Sequence, residues 1–84
     1  MNLSVRTNLS TQEIDGELVI LDKDNDQIHQ LNSVASAIWK YIESGLDIQA
    51  ISERLIQSFE IDEATAKNDL DKILQQFKEQ KLLT

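Results

Sequence analysis

Short apolar stretches separated by polar turns occupy the first third of the chain. Residues Leu9 to Ile14 form a weak strand candidate, and the Asp15-Gly16 pair that follows is typical of tight hairpin turns. The run from Glu17 to Leu21 is rich in β-branched apolar residues, and its unbroken apolarity predicts a central strand covered on both faces. After the polar turn from Asp22 to Asp26, a third short strand is predicted from Gln27 to Leu31. The pattern indicates a three-stranded antiparallel meander with the third strand at an edge.

From Asn32 onward the apolar spacing changes from two residues to the 3.6-residue period of a helix. Asn32, Asp47 and Asp62 each precede an apolar stripe and are suited to cap the first turn of a helix. Gly45 is placed to end the first helix. The residues expected to face the core are Val34, Ala35, Ile38, Trp39 and Ile42 in the first helix, Ile48, Ile51, Leu55 and Phe59 in the second, and Ala66, Leu70, Ile73, Leu74 and Phe77 in the third.

Three strands followed by three helices with short links predict a single α+β domain. A chain of 84 residues has room for one core only. We place the domain at residues 9–83 and treat residues 1–8 as an N-terminal extension.

Composition excludes several classes of function. The chain has 8 basic and 15 acidic residues, a formal net charge of −7, and its cations are scattered from Arg6 to Lys81, which disfavours binding of nucleic acid. Without cysteine the chain can form neither a disulfide nor a thiolate metal site. No apolar run approaches the roughly 20 residues of a membrane span, and no signal-peptide pattern is present. We therefore expect a cytoplasmic protein that does not enter a membrane.

The candidate chemistry in the sequence is weak. His29, the single histidine, is expected to be an exposed strand residue and not a ligand. The acidic turn Asp22-Lys23-Asp24-Asn25-Asp26 has the opening spacing of a calcium loop, but Gln27 stands where glycine is needed and Ser33 where glutamate is needed. No serine lies in a nucleophile elbow, and two glycines are too few for a phosphate-binding loop. We expect no catalytic residue, no metal site and no cofactor.

A set of turn, cap and core residues occurs in a characteristic order between residues 9 and 83. Its segments are Glu13-Ile14-Asp15-Gly16-Glu17, Leu31-Asn32, Ala35, Ile38-Trp39, Leu46-Asp47-Ile48, Ile51, Phe59-Glu60-Ile61-Asp62, Asp69-Leu70, Ile73-Leu74 and Lys81-Leu82-Leu83. This ordered set resembles the PqqD family and the wider group of leader-recognition domains of ribosomal-peptide modification pathways. Members of that group often have glycine in the turn before the third strand and before the final Leu-Leu. This chain has Asp24-Asn25-Asp26 and Lys81 at those places.

The resemblance implies a winged-helix-like fold and a non-catalytic peptide chaperone. Such a domain binds the extended leader of a precursor peptide as an added strand between strand 3 and helix 3. It then presents the precursor to a modifying enzyme such as a radical SAM enzyme, a leader protease or a cyclase, as in PQQ and lasso-peptide pathways.

The physical properties of the third strand agree with that implication. A short edge strand has unpaired main-chain groups that a guest backbone can satisfy. The candidate peptide-binding residues are Gln27, Ile28, His29, Gln30 and Leu31 on the strand and Asp69, Lys72, Ile73 and Gln76 on the third helix. Ile73 is the expected pocket floor. The sequence leaves open whether the opposite flank of this helix, with Lys67, Asp71 and Lys78, lines the groove instead.

Two other functions remain as alternatives at this point. A winged-helix DNA-binding regulator would use a related arrangement of helices, although acidic residues are interspersed with the basic ones there. A structural adaptor subunit of a larger enzyme would bind protein but no small peptide. We expect a monomer or a weak dimer, because an open strand edge permits pairing between copies.

Overall fold

The elements follow one another in the order that the sequence predicts. The computed structural model describes residues 3–83, so the first two residues of the predicted N-terminal extension lie outside it. The strands are β1 (Leu9–Ile14), β2 (Glu17–Asp22) and β3 (Gln27–Gln30), and the helices are α1 (Ser33–Glu43), α2 (Ile48–Phe59) and α3 (Glu63–Glu79). The strands form one antiparallel sheet in the order β1-β2-β3. The predicted α+β class and the central place of β2 are confirmed.

The helices cover only one face of the sheet, which we call the inner face; the other is the outer face. On β2 the alternate residues Leu18 and Ile20 are buried on the inner face. On the outer face Val19 is half-buried and Leu21 is 38% exposed. The prediction that both faces of this strand are covered is therefore wrong. The apolar run is continuous, but no second layer packs on the outer face among residues 3–83.

The three predicted helix caps are confirmed. The side chains of Asn32, Asp47 and Asp62 each accept a hydrogen bond from the amide three residues later, at 2.9, 2.8 and 2.7 Å. Such a bond satisfies one of the amides that a helix start leaves without an intrahelical partner. Gly45 has a φ of 88° just after α1, as expected of a residue that ends a helix in the left-handed conformation.

The core lies between the inner face of the sheet and the three helices. Its centre contains Trp39 of α1 and Phe77 of α3, whose rings meet edge to face with centroids 5.3 Å apart. The buried apolar residues are Leu18, Ile20, Leu31, Ala35, Ile38, Trp39, Ile42, Ile51, Leu55, Ala66, Leu70, Leu74, Phe77 and Leu82. Ile48, predicted to be buried, is instead 37% exposed because it occupies the first position of α2, at the edge of the packed region.

Two non-glycine residues adopt the left-handed conformation at the places where the resembling family often has glycine. Asp26, before β3, has a φ of 52°, and Lys81, after α3, has a φ of 61°. Aspartate enters this conformation more readily than most residues, because its short side chain can form a hydrogen bond with nearby main chain. The lysine side chain gives no such compensation. The chain thus keeps the backbone geometry of these two turns without the glycines.

The N-terminal segment is tied to the C-terminal end of the chain. Val5 forms an antiparallel bridge with Leu83, and the amide of Arg6 donates to the carbonyl of Leu82 at 2.9 Å. The Arg6 guanidinium donates through Nε to the carbonyl of Lys81 at 2.7 Å and forms an ion pair with Asp22 at 2.5 Å. Residues 3–8 therefore connect the end of β2 to the end of α3, and within this described stretch none pairs with β3.

Candidate functional site

The free edge of β3 exposes main-chain hydrogen-bonding groups at alternate residues. The amide of Leu31 donates to the carbonyl of Leu18 at 2.8 Å, just beyond the end of the β2–β3 ladder. Because hydrogen-bonded and non-hydrogen-bonded pairs alternate in an antiparallel ladder, His29 also bonds toward β2. The N–H and C=O groups of Ile28 and Gln30 consequently point away from β2. No strand pairs with that side of β3 among residues 3–83.

Side chains alternate along β3 between the two faces of the sheet. His29 lies opposite Ile20 of β2 and shares its inner face, so it is 9% exposed, while Ile28 lies opposite Leu21 and is 71% exposed. The prediction of an exposed His29 is therefore wrong. The signal was present in the sequence, because residues two apart on a strand share a face and Leu31 is a core residue.

A groove runs between β3 and the C-terminal half of α3. It encloses about 250 Å³ and is lined by Ile28, His29, Gln30, Leu31, Asn32, Ala35, Gln76, Phe77 and Gln80. Candidate residues of the strand and Gln76 of α3 thus meet around one cavity. Gln27 lies beside a second depression toward the β2–β3 turn, together with Asn25 and residues 79–81.

The remaining candidate residues of α3 lie near the groove but do not line its cavity. Lys72 is exposed and lies one turn before Gln76, and Asp69 is half-buried and lies two turns before it, on the same flank of the helix. Ile73 is half-buried and packs against the core cluster. The apolar residue of α3 that lines the cavity is Phe77. Between the two flanks left open by the sequence, the one with Gln76 borders the cavity.

Four residues that line the cavity are not among the candidates from the sequence: Asn32, Ala35, Phe77 and Gln80. Phe77 and Ala35 have the helical spacing of core positions, which conceals that one side of each faces the groove. Asn32 was assigned only as a helix cap. Gln80 follows Gln76 by one helical turn, and that i, i+4 spacing is the signal from which it could have been found.

The groove combines an apolar floor with polar edges. Phe77 and Ala35 contribute apolar surface, and the side-chain amides of Gln76 and Gln80 can donate and accept hydrogen bonds. The Nε2 atom of His29 is buried and has no hydrogen-bond partner among residues 3–83. An apolar cleft with a few polar groups is the usual character of a ligand site. The part of the chain that the structure describes contains no cluster of three or more potential metal ligands.

Ion pairs hold the end of the groove that lies near the β2–β3 turn. Asp22 is 1% exposed. Its carboxylate accepts a hydrogen bond from the side-chain Nδ2 of Asn25 at 2.8 Å and another from the backbone N–H of Asn25 at 3.3 Å. The hydrogen bond from Arg6, with these bonds from Asn25, lowers the pKa of Asp22 from 3.8 to about 2. Since Arg6 also bonds to the carbonyl of Lys81, this network fixes the end of α3 relative to the end of β2.

None of the helices within residues 3–83 is both long enough and apolar enough to cross a membrane.

Comparison with known proteins gives a family and two structural neighbours. The family model described as coenzyme PQQ synthesis protein D (PqqD) matches residues 17–83. TbiB1, solved in complex with the TbiA(beta) leader peptide, superposes with a TM-score of 0.90 at 25% identity, covering 95% of this chain and 93% of that one. A lasso peptide synthetase B1, complexed with the leader peptide, superposes with a TM-score of 0.90 at 21% identity, covering 100% of this chain and 99% of that one. No curated protein matches the sequence.

Proposed function

Because the chain belongs to the PqqD family, we propose that it binds the leader of a ribosomally made precursor peptide and presents it to a modifying enzyme. The observation that carries the proposal is the open edge of β3 beside a groove with an apolar floor. The structural neighbour of 25% identity, TbiB1, binds a leader peptide. The proposal assigns the same class of ligand to this chain.

The bound leader is an extended segment that adds to the sheet as a fourth strand. Its backbone pairs with the outward-pointing N–H and C=O groups of Ile28 and Gln30, a mode that is almost independent of the peptide's sequence. Selectivity then comes from side chains. The leader residue opposite His29 points to the inner face of the sheet, toward the cavity lined by Phe77 and Gln76.

The proposed binding residues are those expected from the sequence together with the cavity lining. On β3 and after it they are Gln27, Ile28, His29, Gln30 and Leu31. On α3, Gln76 contacts the leader where it lies in the cavity, and Ile73, Lys72 and Asp69 contact it where it continues along the same flank of the helix. We assign the leader-binding domain to residues 9–83, and Arg6, just before it, links Asp22 at the end of β2 to Lys81 after α3.

The chain itself catalyses no reaction in this proposal. The groove supplies amides, one imidazole and apolar surface, and the chemistry belongs to the partner enzyme. The proposal locates the protein in the cytoplasm, where precursor peptides leave the ribosome and the modifying enzyme meets them.

Titration of a fluorescent leader tests the proposal. The genes next to the one that encodes this chain are first searched for a short precursor peptide. A synthetic leader of that precursor is the fluorescent probe, and its anisotropy is followed as the chain is added. We expect saturable binding, competition by unlabelled leader and no competition by the core segment of the same precursor. Absence of leader binding, or equal binding to the core segment, would overturn the proposal.

Reconstitution tests presentation separately from binding. A modifying enzyme found encoded with that precursor is assayed on it with and without the chain, and then on a precursor that lacks the leader. We expect the chain to accelerate modification of the full precursor only. Equal acceleration of the leaderless precursor would contradict a role in leader presentation.

A further inference from the structure

Ile28 is the most exposed of the large apolar residues that the structure places outside the core. Its side chain is 71% exposed, compared with 53% for Ile14, 38% for Leu21 and 37% for Ile48. Ile28 lies directly opposite Leu21 in a pair whose main chains do not bond to each other, which is the pair type with the closer side chains. We call Ile28 and Leu21 the outer apolar pair.

An exposed apolar β-branched residue at this position increases the risk of aggregation. An open strand edge with an exposed apolar side chain invites unspecific pairing, and proteins usually protect such edges with charged residues or proline. The other outward-facing residue of β3, Gln30, is polar. Neither Leu21 nor the inner-face core covers Ile28, so the folded chain alone gives no reason for an isoleucine there.

The guest strand supplies the missing neighbour. Because the N–H and C=O groups of Ile28 point away from β2, a guest strand bonds to Ile28 directly. The guest residue beside Ile28 then points its side chain to the outer face, in line with Ile28 and Leu21, whether the guest runs parallel or antiparallel. Adjacent guest residues point into the groove. The two faces of the bound peptide therefore contact different residues of this chain.

We infer that Ile28 is a specificity-determining residue that selects an apolar side chain on the solvent-side face of the bound peptide. The inference rests on the proposed function and deepens it. A leader accepted at this edge carries an apolar residue that extends the outer apolar pair into a row of three, adjacent to the positions that enter the groove. The class of ligand is thus an extended peptide that is apolar on its outward face at this one position.

A display experiment tests the inference and does not require the sequence of the leader. A library of random 12-residue peptides is selected for binding to the wild-type chain. Peptides that do not bind the variant Gln76→Trp, in which the cavity is filled, are kept as groove binders. Each kept peptide is then scanned with lysine, and its affinity is measured for wild type, Ile28→Lys and Ile28→Glu. The matched control is Ile14→Lys, on the outer face at the opposite edge of the sheet. Circular dichroism and thermal unfolding verify that all variants fold.

We expect one apolar peptide position at which lysine weakens binding to wild type by about fivefold, the upper range of a cross-strand pair. The same lysine peptide should bind Ile28→Glu better than wild type, while Ile14→Lys leaves every affinity unchanged. The inference would be overturned if no groove-binding peptide has such a position. It would also be overturned if the lysine peptide binds Ile28→Glu no better than it binds wild type. Either result leaves the proposed function intact. Failure of the wild-type chain to select any groove binder would instead count against the proposed function.

Discussion

The hydroxyl of Ser36 accepts a hydrogen bond from the amide of Leu18 at 2.8 Å, deep inside the protein. The same oxygen lies 3.3 Å from the carbonyl oxygen of Leu31, to which it donates. The Ser36 hydroxyl of α1 therefore lies between the Leu18 amide of β2 and the Leu31 carbonyl after β3 and bonds to both. It connects the sheet to α1 at the end of the groove opposite the Arg6–Asp22 ion pair.

Replacing Ser36 with alanine should destabilise the protein measurably. The Leu18 amide would lose its acceptor in a buried site, a loss that costs about 1–3 kcal/mol. Urea unfolding at neutral pH measures the change. Ser44→Ala is the control, because the Ser44 hydroxyl bonds to the Lys40 carbonyl on the exposed end of α1 and its loss should stay within about 0.5 kcal/mol. Equal effects of both variants would show that Ser36 does not act as this bridge.

Stability should fall in acid as Asp22 becomes protonated. Hydrogen bonds from Arg6 and Asn25 lower the pKa of Asp22 to about 2 in the folded chain, against an ordinary value of 3.8. A carboxyl whose pKa is lowered by folding stabilises the protein above its ordinary pKa and loses that contribution as the pH falls toward its folded pKa. We therefore expect the thermal midpoint to drop between about pH 4 and pH 2.

The variant Asp22→Asn isolates this contribution. It should be less stable than wild type at neutral pH and should show a flatter decline between pH 4 and pH 2, as followed by thermal unfolding. The hydrogen bond with Thr65 also lowers the pKa of Asp62. Because Asp62 is present in both proteins, its contribution to the pH dependence of stability is the same in both. Parallel pH profiles for the two proteins would contradict the assigned role of Asp22.

Glycine at position 81 should stabilise the fold. Lys81 has a φ of 61°, a conformation that costs a non-glycine residue about 1–2 kcal/mol. The greater freedom of glycine in the unfolded chain offsets part of the gain, so we expect Lys81→Gly to raise the free energy of unfolding by about 0.5–1 kcal/mol. Lys78→Gly, in the last turn of α3, should lower it by about 1 kcal/mol. Urea titrations compare the two, and a loss of stability in Lys81→Gly would be the contrary result.

The sequence predicted the elements well because their signals are local. Asn32, Asp47 and Asp62 cap their helices through side-chain bonds to amides three residues away, and that pattern is visible without the fold. The Asp15-Gly16 turn similarly has φ values of 53° and 83°, both positive as a tight hairpin turn requires.

The errors concern which face of an element is covered. Burial of His29 depends on its register opposite Ile20, and exposure of Leu21 depends on the absence of a second layer among residues 3–83; both are properties of the assembled sheet. For the same reason the sequence indicated the groove but not its floor. Phe77 has the spacing of a core residue, and only the position of α3 relative to β3 shows that it also lines the cavity.

Filling the groove should strongly weaken peptide binding without unfolding the chain. Gln76 is exposed and lines the cavity, whereas its neighbour Gln75 is exposed and does not. We expect Gln76→Trp to weaken leader binding at least tenfold and Gln75→Trp to change it less than twofold, as measured by the anisotropy of the fluorescent leader. Similar effects of the two tryptophans would exclude this groove as the binding site.

Amide hydrogen exchange at β3 tests the central claim most directly, because it observes the main-chain bonds themselves. In the free chain the amide of His29 is paired with β2, while those of Ile28 and Gln30 point to the open edge. With saturating leader peptide, NMR-detected exchange should slow strongly at Ile28 and Gln30 and change little at residues 10–13 of β1, the opposite edge. If the leader saturates the chain while the amides of Ile28 and Gln30 exchange as fast as before, the peptide does not add to this strand and the account is contradicted.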